Sequence, residues 1–239
     1  MQPSLLFFLL LLIIVLGVLW VVRRESNTRK RLVSFVKGHG WTIQTNPKNK
    51  RAYHICQQTG ELAWEMNIFR TADKQIPLTQ WSSRKAALKD SPVVLGPHIA
   101  GMVYETGSQK AINQMTQQLI FDSLKVDSSQ NYAPEGWQRM GVATDGLGPQ
   151  KVGTPAFQEL FTVWSRSIFS ARQVLHPEVE RKLRDWPLQM SLIEGPLIQV
   201  NEDGVCIRVQ NDRAYWKPDM LKYIVDLGEE ICRAVSAYS

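Results

Sequence analysis

Hydrophobic and polar positions along the chain fall into three patterns in succession. From Leu5 to Val22 no polar side chain occurs at all, only Leu, Ile, Val, Phe, Gly and Trp. Eighteen such residues in a helix reach about 27 Å, close to the hydrocarbon thickness of a bilayer. The pattern predicts a transmembrane anchor over residues 1–22. A cleaved secretory signal would need a basic start, a shorter apolar centre and small residues at a cleavage site. Met1, Gln2, Pro3 and Ser4 carry no basic side chain, and the run ends in Leu19-Trp20-Val21-Val22-Arg23-Arg24 without an Ala-x-Ala pattern, which favours an uncleaved signal anchor.

The second pattern is helical and brief. Leu32, Val33, Phe35 and Val36 form one apolar side of a short helix that stops at Lys37-Gly38, so residues 23–38 read as a basic juxtamembrane collar and short helix. The third pattern has the period of strands. Trp41–Thr45, Tyr53–Gln57 and Leu62–Phe69 are rich in β-branched and aromatic residues and are separated by turn compositions, which predicts a three-stranded antiparallel meander. Leu78–Ser82 and Val93–Tyr104 are further strand candidates, and Ser108–Leu124 has the spacing of an amphipathic helix. Together they make a first α+β half over residues 39–126. Residues 127–156, dense in Gly and Pro, read as a linker or surface insertion.

A second α+β half is expected over residues 157–239. It contains a strand Phe161–Ser165, a helix from about Ser170 to Trp186, strands Leu188–Ile193 and Gly204–Val209 with Ile198–Val200 between them, and a closing helix Pro218–Val235. Trp41-Thr-Ile-Gln44 before Gly60 is echoed by Trp186-Pro-Leu-Gln189 before Gly204, the spacing that two related helix-plus-meander halves would leave. The expected fold class is α+β: one N-terminal transmembrane helix, then a soluble domain of antiparallel strands packed with amphipathic helices.

Charge changes this picture once it is divided along the chain. The 28 basic and 22 acidic residues give +6 overall, but residues 1–51 hold 9 basic against 1 acidic, a balance of +8, which leaves −2 for the remainder. Nucleic-acid binding needs basic residues interleaved with aromatics on a folded face, and the folded part is slightly acidic, so no nucleic-acid partner is expected. Arg23, Arg24, Arg29, Lys30 and Arg31 all follow the apolar run. Positive flanks are retained in the cytoplasm, so the expected topology is single-pass in the cell (inner) membrane, N-terminus out, with a cytoplasmic C-terminal domain. Trp20 sits where an interfacial ring anchors a helix end. Trp20 and the five basic residues are the candidate membrane-surface site, and they also suit anionic lipid head groups. Cys56, Cys206 and Cys232 are an odd, dispersed set, which suits reduced thiols.

Candidate chemistry is sparse. Metal sites ask for paired Cys or His ligands at short spacing, and His39, His54, His98 and His176 form no such pairs with each other or with the cysteines. His54-Ile55-Cys56 places an imidazole and a thiol on one strand face. Gly146-Leu-Gly148-Pro149 fails as a phosphate loop because Pro149 removes a backbone donor. Glu178, Glu180 and Asp185 read as a solvated helix face, and neither a Gly-x-Ser-x-Gly elbow nor a Gly-Lys-Ser/Thr loop is present. No catalytic residue, metal or cofactor is assigned. Trp137, Tyr215 and Trp216 are the candidate partner contacts, since they lie outside the patterned core segments.

Phe157, Phe161, Val163 and Ser165, followed by Ala171, Leu175-His176-Pro177, Val179 and Leu183, form a pattern that resembles the C-terminal core of uncharacterised bacterial single-pass membrane proteins. The resemblance spans roughly residues 157–236, rests on packing positions, and implies an α+β domain without an assigned activity. The function expected is a membrane-anchored, cytoplasmic-facing interaction or scaffold protein, with the bilayer and another protein as partners. The alternatives are a membrane-tethered hydrolase assembled around His54, Cys56 or His176, and an anionic-lipid surface sensor.

Overall fold

A computed structural model describes residues 3–45, 52–58, 62–70, 77–88, 91–97, 147–187, 195–209 and 217–237. Helix α1, Pro3–Gly38, is continuous, so the expected anchor and short juxtamembrane helix are one rod of about 54 Å. Between Val22 and Leu32 the chain has neither Gly nor Pro, and nothing there interrupts the hydrogen-bond ladder. The helix ends at the predicted Gly38, and the cap that closes it lies two residues further on. Gly40 takes φ +73°, and Trp41 N–H donates to Val36 O at 3.1 Å, the six-to-one bond of a Schellman cap. Gly40, rather than Gly38, supplies the left-handed residue.

The two ends of α1 have opposite surroundings. Leu32 and Val36 are fully buried in the main core, with Phe35 packed beside them. The apolar residues from Leu11 to Val22 other than Gly17 are each 46–61% exposed, on every side of the helix. No helix among the described residues is long and apolar enough to cross a membrane.

The domain is built on one nine-stranded sheet: β1 (Thr42–Thr45), β2 (Tyr53–Gln57), β3 (Trp64–Arg70), β4 (Pro77–Ser83), β5 (Val93–Pro97), β6 (Gly148–Gln150), β7 (Phe161–Ser165), β8 (Leu197–Asn201) and β9 (Gly204–Val209). Its order is β1-β2-β3-β4-β9-β8-β5-β7-β6, with every neighbour antiparallel. The predicted meander is β1-β2-β3, and β4 extends it. Strands from the two expected halves share this sheet: β9 pairs with β4, and β5 lies between β8 and β7. The stretch read as linker contributes β6. The β8–β9 hairpin needs Gly204 at φ +129°, where a Cβ would lie 2.2 Å from Ser83 O. Residues 98–104 of the expected strand, the expected helix 108–124 and the expected strand 188–193 lie outside the described residues, as do Gly60, Leu188 and Gln189 of the internal echo.

Helices α2 (Pro155–Leu160), α3 (Ile168–Val174), α4 (Pro177–Arg184) and α5 (Asp219–Ser236) pack on one face of the sheet. The single helix expected from Ser170 to Trp186 is instead the pair α3 and α4. Leu175 and His176 leave helical geometry between them, and Pro177, lacking an N–H, takes the first turn of α4 where that donor is not needed. Across the sheet's helix-covered face, Ile55, Met66, Trp81, Ile207, Ile198, Leu95 and Val163 alternate with residues pointing away. Helix α5 closes the core with Leu221, Ile224, Val225, Ile231, Cys232 and Val235. Tyr223 on α5 donates its hydroxyl to Lys182 O of α4, and burial pushes that phenol up to about 12.

Candidate membrane-surface site

Where the apolar part of α1 ends, the helix carries one polar stripe. Trp20, Arg23, Arg24, Asn27, Thr28 and Arg31 follow each other at three- and four-residue steps and so share a face. They line a groove of about 470 Å³ whose far wall is Lys217, just before α5. Arg24 lies over the Trp20 ring at 5.2 Å from its centroid, a cation–π contact that holds a guanidinium beside the indole. Thr28 Oγ1 donates to Arg24 O at 3.0 Å. Among the described residues no acidic side chain lines the groove.

The five predicted basic residues therefore divide. Arg23, Arg24 and Arg31 line the groove with Trp20, whereas Arg29 reaches the body and donates from Nη2 to Thr45 Oγ1 of β1 at 3.4 Å. Lys30 is exposed and does not line the groove. Sequence reasoning missed Lys217 as a member of this set. No local signal could have found it, because it meets the collar only through the fold. The candidate partner contacts Trp137, Tyr215 and Trp216 lie outside the described residues.

The face of the sheet turned away from the helices has a different character. Its register aligns Cys56, Glu65, Ser82, Cys206 and Gln199 in one row across β2-β3-β4-β9-β8, and His54, Asn67, Gln80 and Arg208 in the next. Of these, Cys56, Asn67, Gln80, Ser82, Cys206, Gln199 and Arg208 are buried. His54 Nδ1 donates to Asn67 Oδ1 at 2.9 Å, and Arg208 Nε donates to Gln80 Oε1 at 3.1 Å. An apolar cluster of Val94, Leu147, Trp164 and Leu197 continues the same face. The alternation of Val205, Ile207 and Val209 with Cys206 and Arg208 was the sequence signal for this polar face.

These rows bring His54 and Cys56 to one face, but not as a nucleophile and its base. The imidazole nitrogen is bonded to Asn67, and burial, reinforced by the Glu65 carboxylate, pushes the Cys56 thiol up. Cys206 is raised by burial, more than Arg208 lowers it, and burial holds Cys232 up at about 12. A reactive thiol needs the opposite shift. All three cysteines are free and buried. His176 opens α4 in the helix layer, on the other side of the sheet from His54. Among the described residues no group of three or more His, Cys, Asp or Glu side chains is placed to hold a metal ion.

Glu65 makes a pH prediction. Burial raises its carboxyl above the usual 4.5, and His54, Arg84 and the Ser82 hydroxyl only partly oppose this. An acid whose folded pKa is raised contributes stability that is fully present below its unfolded pKa and is lost as pH rises through the folded value. Glu65→Gln, which keeps an acceptor for Ser82, is therefore expected to raise the urea midpoint at pH 7. The gain should shrink toward zero as pH falls to about 4. A variant less stable than the parent at pH 7 would contradict this assignment.

The fold and the groove define the class only as an α+β domain that carries a long helix with an exposed apolar stretch over Leu11–Val22. Comparison with models of protein families, with curated proteins and with solved structures finds no match for this chain.

Proposed function

We propose that this chain is a single-pass protein of the cell (inner) membrane, N-terminus out, whose cytoplasmic α+β domain is an interaction or scaffold module without catalysis of its own. The observation that carries the reading is α1. A helix apolar on every side belongs in a core or a bilayer, and Leu11–Val22 lies in no core. The same rod passes through the basic collar and ends with Leu32 and Val36 buried in the domain. The membrane segment and the sheet are thus joined by continuous helix, which suits a module held at a set distance from the bilayer. The polar sheet face adds support on the catalytic side, since its thiols are held protonated and its imidazole is bonded to a carboxamide.

Topology is checked by a reporter, active only in an exported compartment, fused after Ser239. It is expected to be silent, and activity would overturn the cytoplasmic placement. The scaffold role is checked by affinity capture from solubilised membranes. A stoichiometric protein partner is expected. Recovery of the chain alone, together with turnover of a hydrolase substrate that disappears in His54→Ala, would replace this reading with the enzymatic one.

A further inference from the structure

We propose that Trp81, Trp64 and Trp41 form a relay that carries one-electron oxidation out of the core to Trp41, where a soluble reductant repairs it. The three indoles run in one line from the core to the surface. Trp81 on β4 is 0% exposed and Trp64 on β3 is 3% exposed, whereas Trp41, between the cap of α1 and β1, is half-buried. Trp64 stands two residues before Met66, which faces Trp81 in the ladder, so both indoles lie on the helix-covered side of the sheet. Their ring centroids are 6.5 Å apart, and those of Trp64 and Trp41 are 5.0 Å apart. Both separations are those of contacting aromatic rings, and electron transfer, which weakens exponentially with distance, is fastest between rings in contact. Beyond Trp41 the exposed His39 ring follows at 4.8 Å.

Two features give the relay its direction. A radical cation is a charge, and an unpaired charge is costly to bury, so the hole is most stable on the half-exposed Trp41. Among the described residues the indole N–H groups of Trp64 and Trp81 have no hydrogen-bond partner. A radical cation on either ring therefore finds no acceptor for its proton there and stays able to pass the hole on. The steps balance. A one-electron radical oxidant removes an electron from Trp81, Trp64 donates one electron to the Trp81 radical cation, and Trp41 donates one to Trp64. The Trp41 radical cation releases its indole proton to water, and a reductant of the ascorbate class returns one electron and one proton to restore the ring. A hole left on Trp81 would instead consume the ring on which α5 rests at Gly228.

The experiment photoionises the full chain, in neutral-detergent micelles, with an ultraviolet laser pulse that reaches buried and exposed indoles alike, dissolved oxygen taking up the ejected electron. Lasting oxidation is then located by peptide mass spectrometry, with and without ascorbate. In the parent, ascorbate is expected to protect Trp41, Trp64 and Trp81 together. Trp41→Phe should abolish that protection at Trp64 and Trp81, and Trp64→Phe should abolish it at Trp81 while Trp41 stays protected. Trp186, also buried but set against Tyr223 rather than in this line, should be unmoved by either change. If the three rings serve packing alone, each is oxidised according to its own exposure and neither substitution alters the others. That outcome, or a loss of protection at Trp186 equal to that at Trp81, would overturn the relay. Acrylamide quenching of tryptophan fluorescence shows whether a substitution has opened the core. Loss of protection at Trp81 that only tracks a gain in quenching would overturn the relay as well.

Discussion

Truncating Trp81 to alanine is expected to destabilise the domain by about 3–5 kcal/mol, and adding one methyl group at Gly228 by about 1–2 kcal/mol. Trp81 is fully buried in β4, and its ring is held by shape, since among the described residues its indole N–H has no hydrogen-bond partner. The α5 backbone lies directly on it. A Cβ built at Gly228 would meet three ring atoms at 2.5–2.6 Å, closer than carbon atoms pack. Glycine inside a helix costs about 1 kcal/mol relative to alanine, so Gly228→Ala gains that amount. Overpacking costs about 1–3 kcal/mol, and three short contacts with a rigid ring put the site at the upper end. The double variant Gly228→Ala/Trp81→Ala should fall short of the summed losses by about 1 kcal/mol or more, because the missing ring removes the clash. Urea unfolding of the four proteins measures the cycle. Additive losses, or a stabilised Gly228→Ala, would show that α5 is free to move off the sheet.

That contact illustrates which parts of the molecule were legible in the sequence. Runs of β-branched and aromatic residues between turn compositions located β2, β3, β4, β7 and β9, and alternation placed His54 and Cys56 on one face of β2, because a strand's side-chain direction is a local property. The closing helix was legible from its apolar stripe. The end of α1 at Gly38 was legible too, although Gly40 rather than Gly38 takes the positive φ of its cap; a boundary shifted where Pro177 divided one apolar period into α3 and α4.

Strand order was not legible. Nothing in Leu78–Ser83 announces that its neighbour will be Gly204–Val209, since the ladder is made by backbone groups common to every strand. The two polar rows follow from that order, as does the meeting of Lys217 with Arg31. Of the candidate surface site, then, the collar was visible as charge and the groove was not. A groove needs a second wall, and that wall comes from a segment whose place is set by the whole fold. Gly228 carried a clue, a helix-breaking residue in an otherwise strong helix, but its cause, the ring of Trp81, lies on another element.

Replacing Leu12 and Leu16 together with arginine is expected to move the protein from the membrane pellet to the soluble fraction or to its degradation products. Each exchange of Leu for Arg in the middle of a spanning helix costs about 3 kcal/mol on an insertion scale, so the pair amounts to about 6 kcal/mol, or roughly four powers of ten in partition. Both positions belong to the run in which every described side chain apart from glycine is 46–61% exposed. This uniformity matters for the interpretation. A helix that met a partner helix would carry a narrow apolar stripe with polar residues opposite, and α1 shows no polar side until Arg23. The measurement separates insertion from folding, because Leu12 and Leu16 lie outside the core. The urea midpoint of the domain, followed by tryptophan fluorescence in neutral detergent, should therefore match the parent within about 0.5 kcal/mol. Loss of the membrane fraction with an unchanged midpoint would separate the two ends of α1 functionally, one made for lipid and one for the sheet. Equal membrane retention of parent and variant would mean that the apolar run is covered by protein, and the single-pass reading would then fall.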